Sequence, residues 1–151
     1  MTETVDFFVA GAPATKGSHR VITKGKGGRL LPRPLILNDN PREKNWAAAV
    51  AGAAQLAMAG RAPLEGCVEV HFEFRFQRPK GHFRANGDVK PSAPERPAVK
   101  PDHDKICRST GDALNGIVYR DDAQVVRALV EKIYTGGPIG VRIVCKPFRE
   151  A

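Results

Sequence analysis

The sequence predicts an α+β fold in which a mixed, mostly antiparallel sheet packs with two main helices. Three observations carry that expectation: strict apolar/polar alternation from Val68 to Phe76, an Ala-rich stretch from Arg42 to Gly60 with helical spacing, and β-rich segments that follow a second, shorter helix near the C-terminus. With 151 residues, 42% hydrophobic and 26% charged, the chain has the size of one ordinary domain and can bury a core without disulfides or structural metal. One domain is therefore expected over 1–151, with basic loops at 11–34 and 78–100 inside it.

Residues 3–10 read as a first strand. Gly11 to Pro34 holds too many glycines and prolines for a helix and reads as a long loop or loose hairpin. Between Lys16 and Arg33 it carries six basic residues (Lys16, Arg20, Lys24, Lys26, Arg29, Arg33) and no acidic one, the composition of a phosphate-contacting arm or of a solvated hairpin. Asn40-Pro41 supplies an N-cap and a first-turn proline, and Trp46, Val50, Ala53, Ala54 and Ala57 then form the apolar side of a helix closed by Gly60.

The next strand places Val68, Val70, Phe72, Phe74 and Phe76 on one face and Glu69, His71, Glu73 and Arg75 on the other. Residues 78–100, punctuated by Pro79, Pro91, Pro94 and Pro97, show no periodicity and read as a long surface loop of functional length. Nine Lys/Arg stand against four Asp/Glu from Arg75 to Arg108, and Phe83 lies among Lys80, His82 and Arg84, where an aromatic ring can stack on a base. A short helix is expected from Asp104 to Asn115, stopped by Gly116. Val125–Tyr134 and Val141–Phe148, separated by Thr-Gly-Gly-Pro-Ile-Gly, read as an antiparallel pair joined by a turn.

A formal net charge of +8 and a sequence pI near 9.8 point to an anionic partner without specifying any chemistry. The acidic start MTETVDFFVAG lacks the positive charge of a secretory leader, and no apolar run reaches membrane-spanning length. A cytoplasmic protein with no membrane partner is expected. Cys67, Cys107 and Cys145 are widely spaced and read as reduced small core residues. The glycine pairs lack a phosphate-loop pattern, which excludes a nucleotide cofactor.

Chemistry concentrates in KPDHDKICRSTGDALNGIVYRDDAQVV, residues 100–126. If Asp102 and Asp104 share an extended segment, their side chains leave the same side with Cα atoms ~6.6 Å apart, near enough for one metal ion. Each also has a simpler reading, Asp104 as an N-cap and Asp102 as a turn residue, just as Asp121-Asp122 fits a turn. A helix between the two acidic clusters lets the chain fold back and join them, and Lys100, Lys105 and Arg108 flank the acids as a phosphodiester site requires. Clustered hard oxygen donors suit Mg²⁺ or Mn²⁺. The pattern is that of a metal-dependent nuclease; a non-catalytic basic DNA- or RNA-binding module, or a metal nuclease acting on other branched or single-stranded DNA, are the competing readings.

The ordered run KPDHDK, DALNG, DDAQVV, with a weaker echo in GAPATKGSHR, resembles the RusA family of Holliday junction resolvases, closely over the C-terminal third and in outline elsewhere. The resemblance implies a RusA-like fold, a homodimer, branched DNA (four-way junctions) as substrate, and Mg²⁺ held by Asp102, Asp104 and Asp122, with Asp121 just before the last of them. Arg108 falls where the family usually has a catalytic lysine, which preserves positive charge but makes proton transfer by this residue doubtful. Lys105 replaces a frequent asparagine. By the same reading Lys16, Arg20, Lys80, Arg84, Lys90, Lys100 and Lys105 would hold DNA.

Overall fold

The computed structural model describes residues 3–15, 19–38 and 42–151, with side chains described outside 19–22, 34–38 and 43. The elements are β1 (Val5–Ala10), β2 (His19–Lys24), β3 (Leu30–Asn38), α1 (Arg42–Met58), β4 (Val68–Gln77), α2 (His103–Ala113), β5 (Val125–Thr135) and β6 (Gly140–Pro147). Four strands form one sheet in the order β1-β6-β4-β5, while β2 and β3 pair separately as an antiparallel hairpin. The basic 11–34 region thus contains one complete strand of that hairpin and part of the other. The helix start expected at Asn40-Pro41 lies outside the described residues.

β4 is the centre of the sheet. Its alternation has the expected outcome: Val68, Val70, Phe72 and Phe74 are buried, and their polar neighbours are only partly so. Three rows cross the helix-covered face in register: Val5–Cys145–Val70–Ala128, Phe7–Ile143–Phe72–Val130 and Val9–Val141–Phe74–Lys132. α1 packs against β1 and α2, and α2 also packs on β5. Trp46 of α1, buried, donates its indole N–H to Thr110 Oγ1 of α2 at 3.1 Å, a bond worth about 1 kcal/mol net. The helix pair is thereby locked to itself as well as to the sheet.

Two expectations are corrected here. β5 and β6 are not a hairpin: β4 lies between them, pairing in parallel with β5 and antiparallel with β6. The strand–helix–strand order β4-α2-β5 is what permits the parallel pair, since parallel neighbours need a long crossover that a helix supplies. The cysteines also differ from a uniform core reading, because Cys67 is exposed and Cys107 only half-buried. Cys145 is buried, and burial pushes its thiol up to about 12, leaving it inert at neutral pH.

Candidate active site

α2 begins one residue later than Asp102. That residue is the N-cap, extended at φ −69° and ψ 138°, and its side chain makes no capping hydrogen bond. Its carboxylate instead faces Lys105 at 3.5 Å. Asp104 is in the first helical turn, where the helix dipole favours negative charge. The two aspartates therefore do not share an extended segment, and Asp104 is not the N-cap. A backbone that turns helical at His103 replaces the two-residue period with the helical one.

The helical period creates a different alignment. Asp104, Arg108 and Asp112 are spaced i, i+4, i+8 and fall on one stripe of α2. Asp104 and Arg108, with Gly111, wall a groove of about 420 Å³ whose apolar floor comes from Val70 and Phe72 of β4 and from Ala128 and Val130 of β5. Asp122 also lines it. Asp104 is close enough to Cys107 on the next turn to help burial push that thiol up.

Asp122 is presented by a rigid turn. Asp121 is the N-cap of a 3-10 turn over Asp122–Gln124 and accepts the Ala123 N–H at 2.8 Å, while Gln124 Oε1 accepts the Asp121 N–H at 3.1 Å. The same Gln124 amide donates to the carbonyls of Leu64 at 2.9 Å and Gly66 at 3.0 Å. Just upstream, buried Tyr119 donates its hydroxyl to Gly111 O at 2.8 Å, tying the turn to α2. Asp121 thus has a structural task that D-x-x-Q announces in the sequence as a capping box, and Asp122 is left to face α2.

Crowding of carboxylates marks the place. Asp122 has its pKa raised, first by a hydrogen bond with Asp112, then by desolvation, then by Asp121. Asp112 did not figure among the site residues expected from sequence, although the i, i+4, i+8 stripe from Asp104 was there to be read. The groove gathers Asp104, Arg108 and Asp122; Asp102, the N-cap of α2, does not line it.

Among the described residues, the one group of three metal-capable side chains with ligand atoms all within 4.8 Å is His71, Glu73 and Glu131, so Asp102, Asp104 and Asp122 are not that tightly drawn together. By the strand alternation this second cluster is on the sheet face opposite the groove. Its carboxylates already have cations: Arg75 Nε is 2.8 Å from Glu73 and an Arg96 guanidinium nitrogen 3.2 Å from Glu131.

The 78–100 segment is built on a few cations. Arg78 donates to Pro94 O at 2.7 Å and stacks over the Tyr134 ring at 4.5 Å, while Phe83 bridges to Val89. Lys80, Arg84, Lys90, Lys100 and Lys105 are all exposed. Lys16 and the side chain of Arg20 lie outside the described part. No helix among the described residues is long and apolar enough to cross a membrane.

The family model for the endodeoxyribonuclease RusA matches residues 10–145. This chain belongs to the RusA family. An uncharacterized protein of Bacillus subtilis (strain 168), YqaN, is 28% identical over 140 residues, covering 90% of this chain and 92% of its own length. Membership in RusA supports a nuclease, specifically an endodeoxyribonuclease, and the observed two-helix, mixed-sheet architecture is the α+β fold expected from the sequence.

Proposed function

We propose that this RusA-family protein is a Mg²⁺-dependent endonuclease, with Mn²⁺ as an alternative ion, that resolves four-way DNA junctions as a homodimer through paired symmetric nicks. The observation that carries the reading is the stripe Asp104–Arg108–Asp112 on α2 beside Asp122. The donor set suits a hard divalent cation: oxygen ligands only, with neighbouring carboxylates raising the pKa of Asp122 and no cation lowering it.

Asp102, Asp104 and Asp122 would hold the ion, with Asp121 just before the last of them and Asp112 hydrogen-bonded to Asp122 as a neighbouring carboxylate. Bound there, Mg²⁺ would supply positive charge at the scissile phosphate and acidify a water molecule. Arg108 offers a guanidinium on the same stripe, suited to a leaving oxygen on which charge develops and unsuited to giving up a proton. Val70, Phe72, Ala128 and Val130 form an apolar floor beneath these charged groups. Exposed Lys80, Arg84, Lys90, Lys100 and Lys105 suit the DNA backbone around the cut. Two nicks at symmetric positions in a junction of two-fold symmetry call for two such sites.

Cleavage of a labelled four-way junction, beside a linear duplex and a flap of matched sequence, tests the reading with Mg²⁺ or EDTA and with Asp104→Asn as control. Symmetric Mg²⁺-dependent nicks on the junction alone, lost in the variant, are expected. Tight junction binding without cleavage in either metal would instead indicate a non-catalytic binding module, and equal cleavage of the flap a nuclease of broader substrate range.

A further inference from the structure

The third apolar row of the sheet, Val9–Val141–Phe74, ends on Lys132 of β5, where the two preceding rows end on Ala128 and Val130. Lys132 is half-buried, and an ammonium drawn partly out of water costs free energy unless its donors are used. Here they are: Lys132 Nζ donates to the carbonyls of Val99 at 2.5 Å and Pro101 at 2.9 Å. Pro101 O belongs to the peptide whose nitrogen is that of Asp102, and Asp102 O in turn accepts the Ile106 N–H at 3.2 Å, the bond that opens α2. One side chain from β5 therefore fixes the peptide plane that leads into the Asp102–Asp104 segment.

The helix itself does not call for a cation in this place, because positive charge near a helix N-terminus opposes the dipole. A residue that breaks the apolar pattern without a local stability motive is where function is expected. We propose that Lys132 is a positioning residue: it holds the 99–101 segment so that Asp102 and Asp104 are preset for a divalent cation before the cation arrives. The assignment rests on the metal-dependent reading above and adds to it a side chain that touches neither metal nor DNA. It also links the basic 78–100 segment to the carboxylates, since that segment ends at the carbonyls Lys132 grips.

The test compares the full-length wild-type protein with Lys132→Met, which keeps length and loses the donors, and Lys132→Arg, which keeps charge and donors. Mn²⁺ binding is followed by electron paramagnetic resonance without DNA, junction binding is measured in EDTA, and amide exchange is read over 99–104. Lys132→Met is expected to weaken Mn²⁺ binding by about tenfold or more, the scale for loss of a residue that orients ligands, and to speed exchange over 99–104. Junction affinity in EDTA should hold, and Lys132→Arg should recover much of the Mn²⁺ affinity. Should Lys132→Met fold poorly, Lys132→Gln, with one donor group, is expected to bind Mn²⁺ more weakly than Lys132→Arg and to exchange faster over 99–104. Wild-type Mn²⁺ affinity in a folded Lys132→Met or Lys132→Gln variant would overturn the role of Lys132 alone. Absence of Mn²⁺ binding in the wild type would overturn it together with the metal-dependent reading.

Discussion

Asp112, on the last turn of α2, is within hydrogen-bonding reach of Asp122 at the head of β5, and that contact is the largest cause of the raised pKa at Asp122. Two like charges at such range favour a shared proton or a bound cation.

In the folded protein a hydrogen bond with Asp112, then burial and Asp121, raise the pKa of Asp122 above the usual carboxylate range, so without metal its contribution to stability is present below that range and lost as pH rises through the raised folded pKa. Asp122→Asn should therefore raise Tm in EDTA at neutral pH, with little difference in acid where the carboxyls are protonated, while abolishing cleavage. Calorimetry across pH checks the sign; a lower Tm at neutral pH would show that the charge is stabilising.

Arg108 is predicted to act in cleavage and not in binding. Arg108→Ala should slow single-turnover cleavage by about a hundredfold, the usual scale for losing one charge-stabilising donor, with junction affinity in EDTA nearly unchanged. Arg108→Lys should retain much of the rate, because a charge-stabilising role requires a cation rather than a planar fork. Matched losses of affinity and rate would move Arg108 to the DNA-binding surface.

Lys80, Arg84 and Lys90, all exposed on the 78–100 segment, should each reduce the salt dependence of junction binding by about one phosphate contact when changed to Ala. Binding titrations over a range of salt give the slope directly. An unchanged slope would remove the residue from the DNA contact surface.

A stability prediction follows from the start of β6. A Cβ on Gly140, whose φ is +150°, would lie 2.0 Å from the Val9 carbonyl oxygen, where β1 and β6 approach across the pairing of Ala10 with Gly140. Gly140→Ala combines backbone strain with overpacking and should cost about 3 kcal/mol or more. Urea unfolding measures it, and a cost near zero would show that the edge strand shifts freely.

The sequence by itself determined which side chains of β4 are buried and where both helices run, because these follow from local periods and caps. Val68 to Phe74 alternate and are buried alternately; Asp121 and Gln124 announce their capping box in four consecutive residues. Asp104, Arg108 and Asp112 fall on one stripe once the helix is granted, so even Asp112 was legible in principle. The partner of each strand was decided only by the tertiary structure. A period of two says which face of β5 is apolar and nothing about its neighbour, so the short turn before β6 suggested a hairpin while the fold set β4 between them. The meeting of Asp112 with Asp122, and the reach of Lys132 to Val99 and Pro101, depend on that same choice. Both bring together residues from α2 or its approach and from β5 or the turn that leads into it, and only the parallel β4-α2-β5 crossover places those elements side by side.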